Sequence, residues 1–435
     1  MKNVEFGRQN NVVISILLIS IISAITFLPF INQLGFYGDD WVMLWGYMTS
    51  GSEKVESIFS IDRPFPGIIM GQEFNVIGIN PLNWQIFNFF MHLIGSLLFF
   101  WLVRLLWQDQ KIPTLLMALI YSTYPGFLQN PQAITYQTFY LGVNLGLFSI
   151  ILEIYAIRTK QKKYKLIFSI LSFVIFVCCL LILEWLIGIL AIYIVLIFYE
   201  LKKKEKTTSL LRLKTFYYSI PALLGSIVFL IWRVFIFQNR RYATDIDQVF
   251  ANYENQTLSA IFSFLFRTWT SFYKTTIVPW FVCFNDQWEF GPKKIIFEGL
   301  VIAFMAVLFI GIFLYRQTKK REKKLDSPGD WARDGIVIGL IGTIFTILPV
   351  TFTGRYVASM GTFNRYTLNS IAWVSIFVIS LMYYLIKDKN FIYCFSAILL
   401  FLSIFTHIQN KYNYKEKYQN QKEFWWQLSW RAPDI

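Results

Sequence analysis

The chain has 435 residues, of which 56% are hydrophobic, 19% aromatic and only 15% charged. A soluble domain carries about 25% charged residues, so the composition excludes an ordinary water-soluble globule and matches a surface facing lipid, where no water solvates charge. The net charge is +14, but Lys and Arg fall in short clusters between apolar runs instead of forming one basic face, which excludes a nucleic-acid groove.

The first apolar run, Val12 to Phe30, is long for a signal-peptide core and has no small-residue cleavage site after it. It predicts a first span at 12–31. Further runs near the length of a bilayer crossing predict spans at 84–105, 112–129, 135–157, 165–182, 184–200, 215–237, 294–315, 334–352, 367–386 and 390–407. The stretch Leu166 to Tyr199 is too long for one crossing at ~1.5 Å per residue. Glu184, the only charge within it, marks a tight turn between two helices. The expected fold is all-α and polytopic, with about eleven membrane helices.

The basic clusters test this layout. Lys2 and Arg8 precede the first span, and Arg104 and Lys111 lie between the second and third. Arg158, Lys160, Lys162, Lys163 and Lys165 follow the fourth, and Lys202, Lys203, Lys204, Lys206, Arg212 and Lys214 the sixth. Arg316, Lys319, Lys320, Arg321, Lys323 and Lys324 follow the eighth, and Lys387 and Lys389 the tenth. With this count every cluster falls on one face, which the positive-inside bias makes cytoplasmic. The N-terminus is then inside and the C-terminus outside. Loops 32–83, 238–293 and 353–366 lie outside, as part of a membrane domain 1–407. The tail 408–435 is also outside; it ends soon after Phe424-Trp425-Trp426 and reads as the start of a truncated soluble region. The four cysteines, Cys178, Cys179, Cys283 and Cys394, have no C-x-x-C spacing and read as small buried hydrophobes. The two histidines, His92 and His407, are too few for a His-based metal site.

The sharpest local signal is Phe36-Tyr37-Gly38-Asp39-Asp40-Trp41, just past the first span. Adjacent carboxylates raise each other's pKa, and the pair is useful if one acts as a general base or both hold a hard divalent cation. The plainer reading is an N-cap of a short helix over Trp41 to Met48. In Asp62-Arg63-Pro64, Arg63 suits a phosphate or carboxylate, or a local ion pair with Asp62 or with Glu73. His92, two turns into the second span, is a functional candidate or a neutral His bonded to a neighbouring helix. The amides and aromatics of Tyr124-Pro125, Gln129 to Gln132 and Tyr136-Gln137 suit sugar hydroxyls, and equally a wet helix edge. Glu184 needs a partner such as Arg63, Arg355 or Arg365, or a cation. Thr353-Gly354-Arg355-Tyr356 and Asn364-Arg365-Tyr366 put two Arg beside Tyr at headgroup level, to grip a phosphate or simply to snorkel.

In their order and on one face, these positions resemble the GT-C superfamily of integral-membrane glycosyltransferases, on the branch with protein O-mannosyltransferases and aminoarabinose transferases. Asp39-Asp40 is similar to its acidic motif after the first span. Arg63-Pro64, Asn88 to His92, Tyr124-Pro125, Glu184 and Arg365-Tyr366 match its later short motifs; Leu183 stands where the family usually has Lys. The resemblance covers roughly residues 10 to 385. It implies a sugar donor on a polyprenyl phosphate or diphosphate, and inverting transfer to a glycan, lipid or protein acceptor. It also implies an acid of the first loop as base, Asp39 by the order of the motif, with Asp40 binding acceptor or metal. Arg63, His92, Glu184, Arg355, Arg365 and Tyr366 are the implied substrate and lipid-phosphate residues. Some members use a divalent cation, Mg or Mn, which here would fall to Asp39, Asp40 and Glu184; others use none. Abundant Ile, Lys, Phe and Asn point to an AT-rich bacterial genome, hence to a bacterial cytoplasmic membrane with the site on its extracytoplasmic side. The rival readings are a polysaccharide polymerase or ligase using Arg240, Arg241 and Arg267 of loop 238–293, a lipid-linked-sugar transporter or flippase, and a non-catalytic membrane scaffold.

Overall fold

The computed structural model describes residues 2–205, 207–241, 257–319 and 329–432. Residues 242–256 of the predicted loop 238–293, the basic residues Lys206, Lys320, Arg321, Lys323 and Lys324, and the last three residues of the tail lie outside the described residues. Every element among the described residues is helical. In chain order they are α1 (Lys2–Phe27), α2 (Asp40–Phe59), α3 (Pro64–Ile77), α4 (Pro81–Leu106), α5 (Lys111–Thr123), α6 (Ala133–Arg158) and α7 (Lys162–Ile182). A 3-10 turn, Glu184–Gly188, leads into α8 (Ile189–Lys202). Then come α9 (Thr208–Ile231), α10 (Thr257–Thr276), α11 (Lys293–Lys319) and α12 (Asp330–Phe352). A second 3-10 segment, Thr362–Ser370, precedes α13 (Ile371–Leu385) and α14 (Lys389–Arg431).

Ten of the described helices are long and apolar enough to cross a bilayer, and they coincide with ten of the predicted spans. The chain is a polytopic, all-α integral membrane protein. Its lipid-facing surface is evident in large apolar side chains left uncovered on α1, α7, α9 and α11, such as Leu17, Leu166, Phe216 and Phe304; a soluble monomer does not expose apolar area on this scale. The predicted turn at Glu184 is present: Leu183 is extended (φ −141°, ψ 105°) and ends α7 before the 3-10 turn begins.

The remaining predicted span, 112–129, is realised differently. Helix α5 stops at Thr123 after 13 residues, and residues 124–132 complete the return as buried non-helical chain. Irregular backbone inside a membrane protein survives only where protein groups satisfy it. Here they do. Asn364 accepts from the Leu128 N–H at 2.7 Å and donates to the Gly126 carbonyl. Asn410 donates to the Leu128 carbonyl at 2.8 Å and His407 to the Tyr124 carbonyl at 3.0 Å. Asn88 and Gln85 donate to the carbonyls of Asn130 and Pro131 at 2.8 and 2.7 Å. Amide side chains on α4, α14 and the second 3-10 segment thus replace the missing helical bonds.

Arg158 joins Glu200 and the Leu105 carbonyl, and Lys203 the Leu106 carbonyl, so the ends of α4, α6 and α8 share one basic end of the bundle. The opposite end carries α2 and α3, packed over Trp84, Ala133 and Ile134 as a small separate core. Helix α2 kinks at Gly51 (φ 68°), a left-handed backbone conformation that suits glycine.

The predicted boundary at 407 is not a break. Helix α14 runs unbroken for 43 residues, about 64 Å at the usual rise and about twice a ~30 Å hydrocarbon core. His407 to Tyr412 are buried, so the middle of this helix is bundle core and not the start of a separate tail.

Candidate active site

The site grows from the first turn of α6. Pro131 ends the irregular crossing and α6 starts at Ala133, so its first N–H groups have no partner within the helix. Asp40 supplies one. Its Oδ1 accepts from the Thr135 N–H at 2.9 Å and the Thr135 hydroxyl at 2.8 Å, and its Oδ2 accepts from the Tyr37 N–H at 3.4 Å. Neither acid caps α2 through its side chain: Asp39 stands at the N-cap position and makes no side-chain cap hydrogen bond. Asp40 instead ties the start of α2 to the start of α6.

Asp40 is fully buried, and all three donors are neutral. Burial pushes its carboxyl up to about 7, the Thr135 and Tyr37 hydrogen bonds pull it down, and the neighbouring Asp39 charge adds to the rise. Asp39 is exposed. It lies within electrostatic reach of the Tyr136 phenol, and so does Arg365. The next residue along, Gln137, donates to Glu73 of α3. Burial pushes Glu73 up to about 8, with the Gln137 hydrogen bond opposing it. Three consecutive residues of α6 therefore collect Asp40, then Asp39 with Arg365, then Glu73.

A second unit sits alongside. Arg63, at the N-cap position of α3, forks onto Glu184: Nη2 reaches Oε1 at 2.6 Å and Nε reaches Oε2 at 2.9 Å. This bidentate geometry is the strong form of the pair. Burial opposes the Arg63 charge, but Glu184 outweighs it and holds the guanidinium above its ordinary value. The guanidinium also lies over the Trp185 ring at 4.8 Å. Trp185 meets Tyr366 edge-on at 5.2 Å, and Arg365 lies 5.4 Å from the Tyr366 ring centre. The two units are thus joined through Trp185 and Tyr366. Asp62 pairs not with Arg63 but with Arg241, at 3.0 Å.

The structure brings Asp39, Asp40, Arg63, Glu184, Arg365 and Tyr366 to one end of the bundle. His92 stands elsewhere: it is buried between the rings of Phe27, at 4.5 Å, and Tyr140, at 5.2 Å. Arg355 is half-buried in the loop before the second 3-10 segment. Among the described residues no three His, Cys, Asp or Glu side chains form a group that could hold a metal ion. Asp39, Asp40 and Glu184 therefore do not fit a shared cation: Asp40 is taken by Thr135 and Tyr37, and Glu184 by Arg63.

No protein-family model, curated protein or solved structure matches the chain. The site thus rests on its own geometry. Thr135 escaped sequence reasoning because a Thr opening an apolar helix looks like a weak cap; only its position after Pro131 hinted at an exposed first turn. The part played by α14 also left no motif, since its contacts to the site come from Tyr414 and Tyr418.

Proposed function

We propose that this protein is a glycosyltransferase that moves a sugar from a polyprenyl-phosphate-linked donor to an acceptor at the Asp40 end of the bundle, by an inverting, single-displacement step. The observation that carries the reading is that an exposed carboxylate, Asp39, and a guanidinium, Arg365, from opposite ends of the sequence both lie within electrostatic reach of Tyr136. An exposed acid can reach a substrate hydroxyl as general base. A half-buried Arg whose Nε has no hydrogen-bond partner can take a phosphate oxygen.

In the proposed step, Asp39 accepts the proton of an acceptor hydroxyl as its oxygen attacks the anomeric carbon. The bond from that carbon to the phosphate oxygen breaks, and its electron pair leaves with the lipid phosphate, which Arg365 stabilises. Asp40 is a positioning residue: it fixes Asp39 against α6 and has no oxygen left for substrate. Arg63 and Glu184 neutralise each other and form the wall behind Trp185. The sequence-based orientation puts this end on the extracytoplasmic side of a bacterial cytoplasmic membrane, where a lipid-bound donor keeps its phosphate at headgroup depth.

Purified full-length protein should transfer sugar from a polyprenyl-phosphate donor. Asp39→Asn should lower the rate by about 10²–10⁴ with an unchanged melting temperature. Undiminished transfer by that variant sinks the assignment. The transporter reading draws on one observation: Glu153 is fully buried within α6, bonded to Ser169 of α7 at 3.0 Å. An ionisable group inside a bundle can serve a transport path. Flux of labelled lipid-linked sugar through proteoliposomes, lost in Glu153→Gln with no covalent product formed, would favour it.

A further inference from the structure

The long α14 does more than close the bundle. A cleft of about 550 Å³ opens between the loop carrying Tyr37 and the projecting half of α14. That volume lies within the usual range of small-molecule sites, about 300–1,000 Å³. Its walls are two phenols, Tyr37 and Tyr414, three amides, Gln132, Asn420 and Gln421, and the ring of Phe424. Among the described residues, Lys417 is the only charged one lining it.

Three features mark it as a built site. The Tyr37 hydroxyl donates to the Tyr414 carbonyl at 2.9 Å, and the Gln132 amide donates to the Tyr414 hydroxyl at 3.3 Å, so both walls are fastened to each other. The Gln421 Oε1 is buried without a hydrogen-bond partner, an acceptor that a ligand hydroxyl would satisfy. The cleft also adjoins the acid pair: Tyr37 donates its N–H to Asp40, and Gly38, which lines the cleft, immediately precedes Asp39. Gly38 has a φ of +53°, and a Cβ there would lie 3.0 Å from the Gln132 amide oxygen, so a side chain would both strain the turn and crowd the entrance.

Amides and phenols pair with hydroxyls in either direction, and aromatic rings offer apolar faces to the C–H side of a sugar. A cleft for nucleotides or acidic peptides would need several cations. We infer that this cleft is the acceptor subsite and takes a neutral saccharide, with one hydroxyl presented to Asp39. The inference rests on the transferase reading for its role, but the binding it asserts is measurable without any chemistry.

The test is titration calorimetry of the full chain in detergent with neutral trisaccharides of glucose, galactose, mannose and N-acetylglucosamine. Saturable binding of at least one is expected. It should weaken at least tenfold in Gln421→Ala with Phe424→Ala, and in Phe424→Ala alone should the double variant misfold. No binding by any trisaccharide, or equal binding by the cleft variants, overturns the inference. Acceptor-free hydrolysis of a polyprenyl-phosphate sugar separates the two ideas. Asp39-dependent hydrolysis without saccharide binding removes the acceptor subsite and leaves the transferase standing. Saccharide binding that obeys the cleft variants, without any donor turnover, upholds the cleft and removes the transferase.

Discussion

Asp40 and Glu184 stand at the same end of the bundle and are held in opposite ways. Asp40 is surrounded by neutral donors from Thr135 and Tyr37, so its proton is undecided near neutrality. Glu184 is locked in a two-point fork by Arg63, so its charge is balanced on the spot. The difference teaches that burial alone does not assign a role to an acid. An acid held by neutral groups is tuned by its surroundings, while one held by a guanidinium is a structural tie.

The largest effect should come from breaking the tie. Glu184→Ala leaves the half-buried Arg63 without its partner, a cost of about 2 kcal/mol, between the ~0–1 kcal/mol of an exposed pair and the ~3–5 kcal/mol of a fully buried one. Thermal unfolding in detergent measures it, and Arg63→Met with Glu184→Leu should recover most of the loss. If Glu184→Ala melts with the wild type, the fork does not carry the wall behind Trp185.

Much of the comparison was legible beforehand. Both acids, Arg63 and Arg365-Tyr366 stood out because charge is rare in this chain and each lies beside an apolar run. The spans followed from apolar length, and Glu184 marked its own turn. What stayed hidden depended on pairing at a distance. Nothing local says that Glu184 chooses Arg63 over Arg355, or that Asp40 reaches across 95 residues to Thr135. The crossing at 112–129 misled for a related reason: its composition is that of a helix, but Pro125 and Gly126 break it, and distant amides make the break tolerable.

A smaller effect sharpens the Asp40 side. Thr135→Val removes the hydroxyl donor and keeps the backbone one, for a loss of about 1 kcal/mol. Because a hydrogen bond that favours the carboxylate is gone, the Asp40 proton should be held to higher pH, a shift readable by infrared titration of the carboxyl band. An unmoved titration would mean that the hydroxyl does not govern this acid.

The gentlest test is pH itself. The folded protein keeps the Asp40 proton to about 7, whereas the ordinary value is 3.8. Within that window the folded state binds more protons than the unfolded one, so this acid's contribution makes stability fall as pH rises across it and level off above. Glu73, pushed up to about 8, continues the same trend slightly further. Asp40→Asn should reduce the slope in melting temperatures taken across the range. A slope unchanged in that variant would show that Asp40 is not the group responsible.

The irregular crossing between α5 and α6 also sets an order on biosynthesis. The carbonyls of Tyr124, Gly126 and Leu128 find their donors on His407, Asn364 and Asn410, which leave the ribosome 283, 238 and 282 residues later. Until those helices arrive, this stretch has unsatisfied polar groups and no favourable place in hydrocarbon. Helix α5 must therefore wait in a sheltered or shallow position while most of the chain is made, and the end of the bundle that carries Asp40 takes shape only in the last act of assembly.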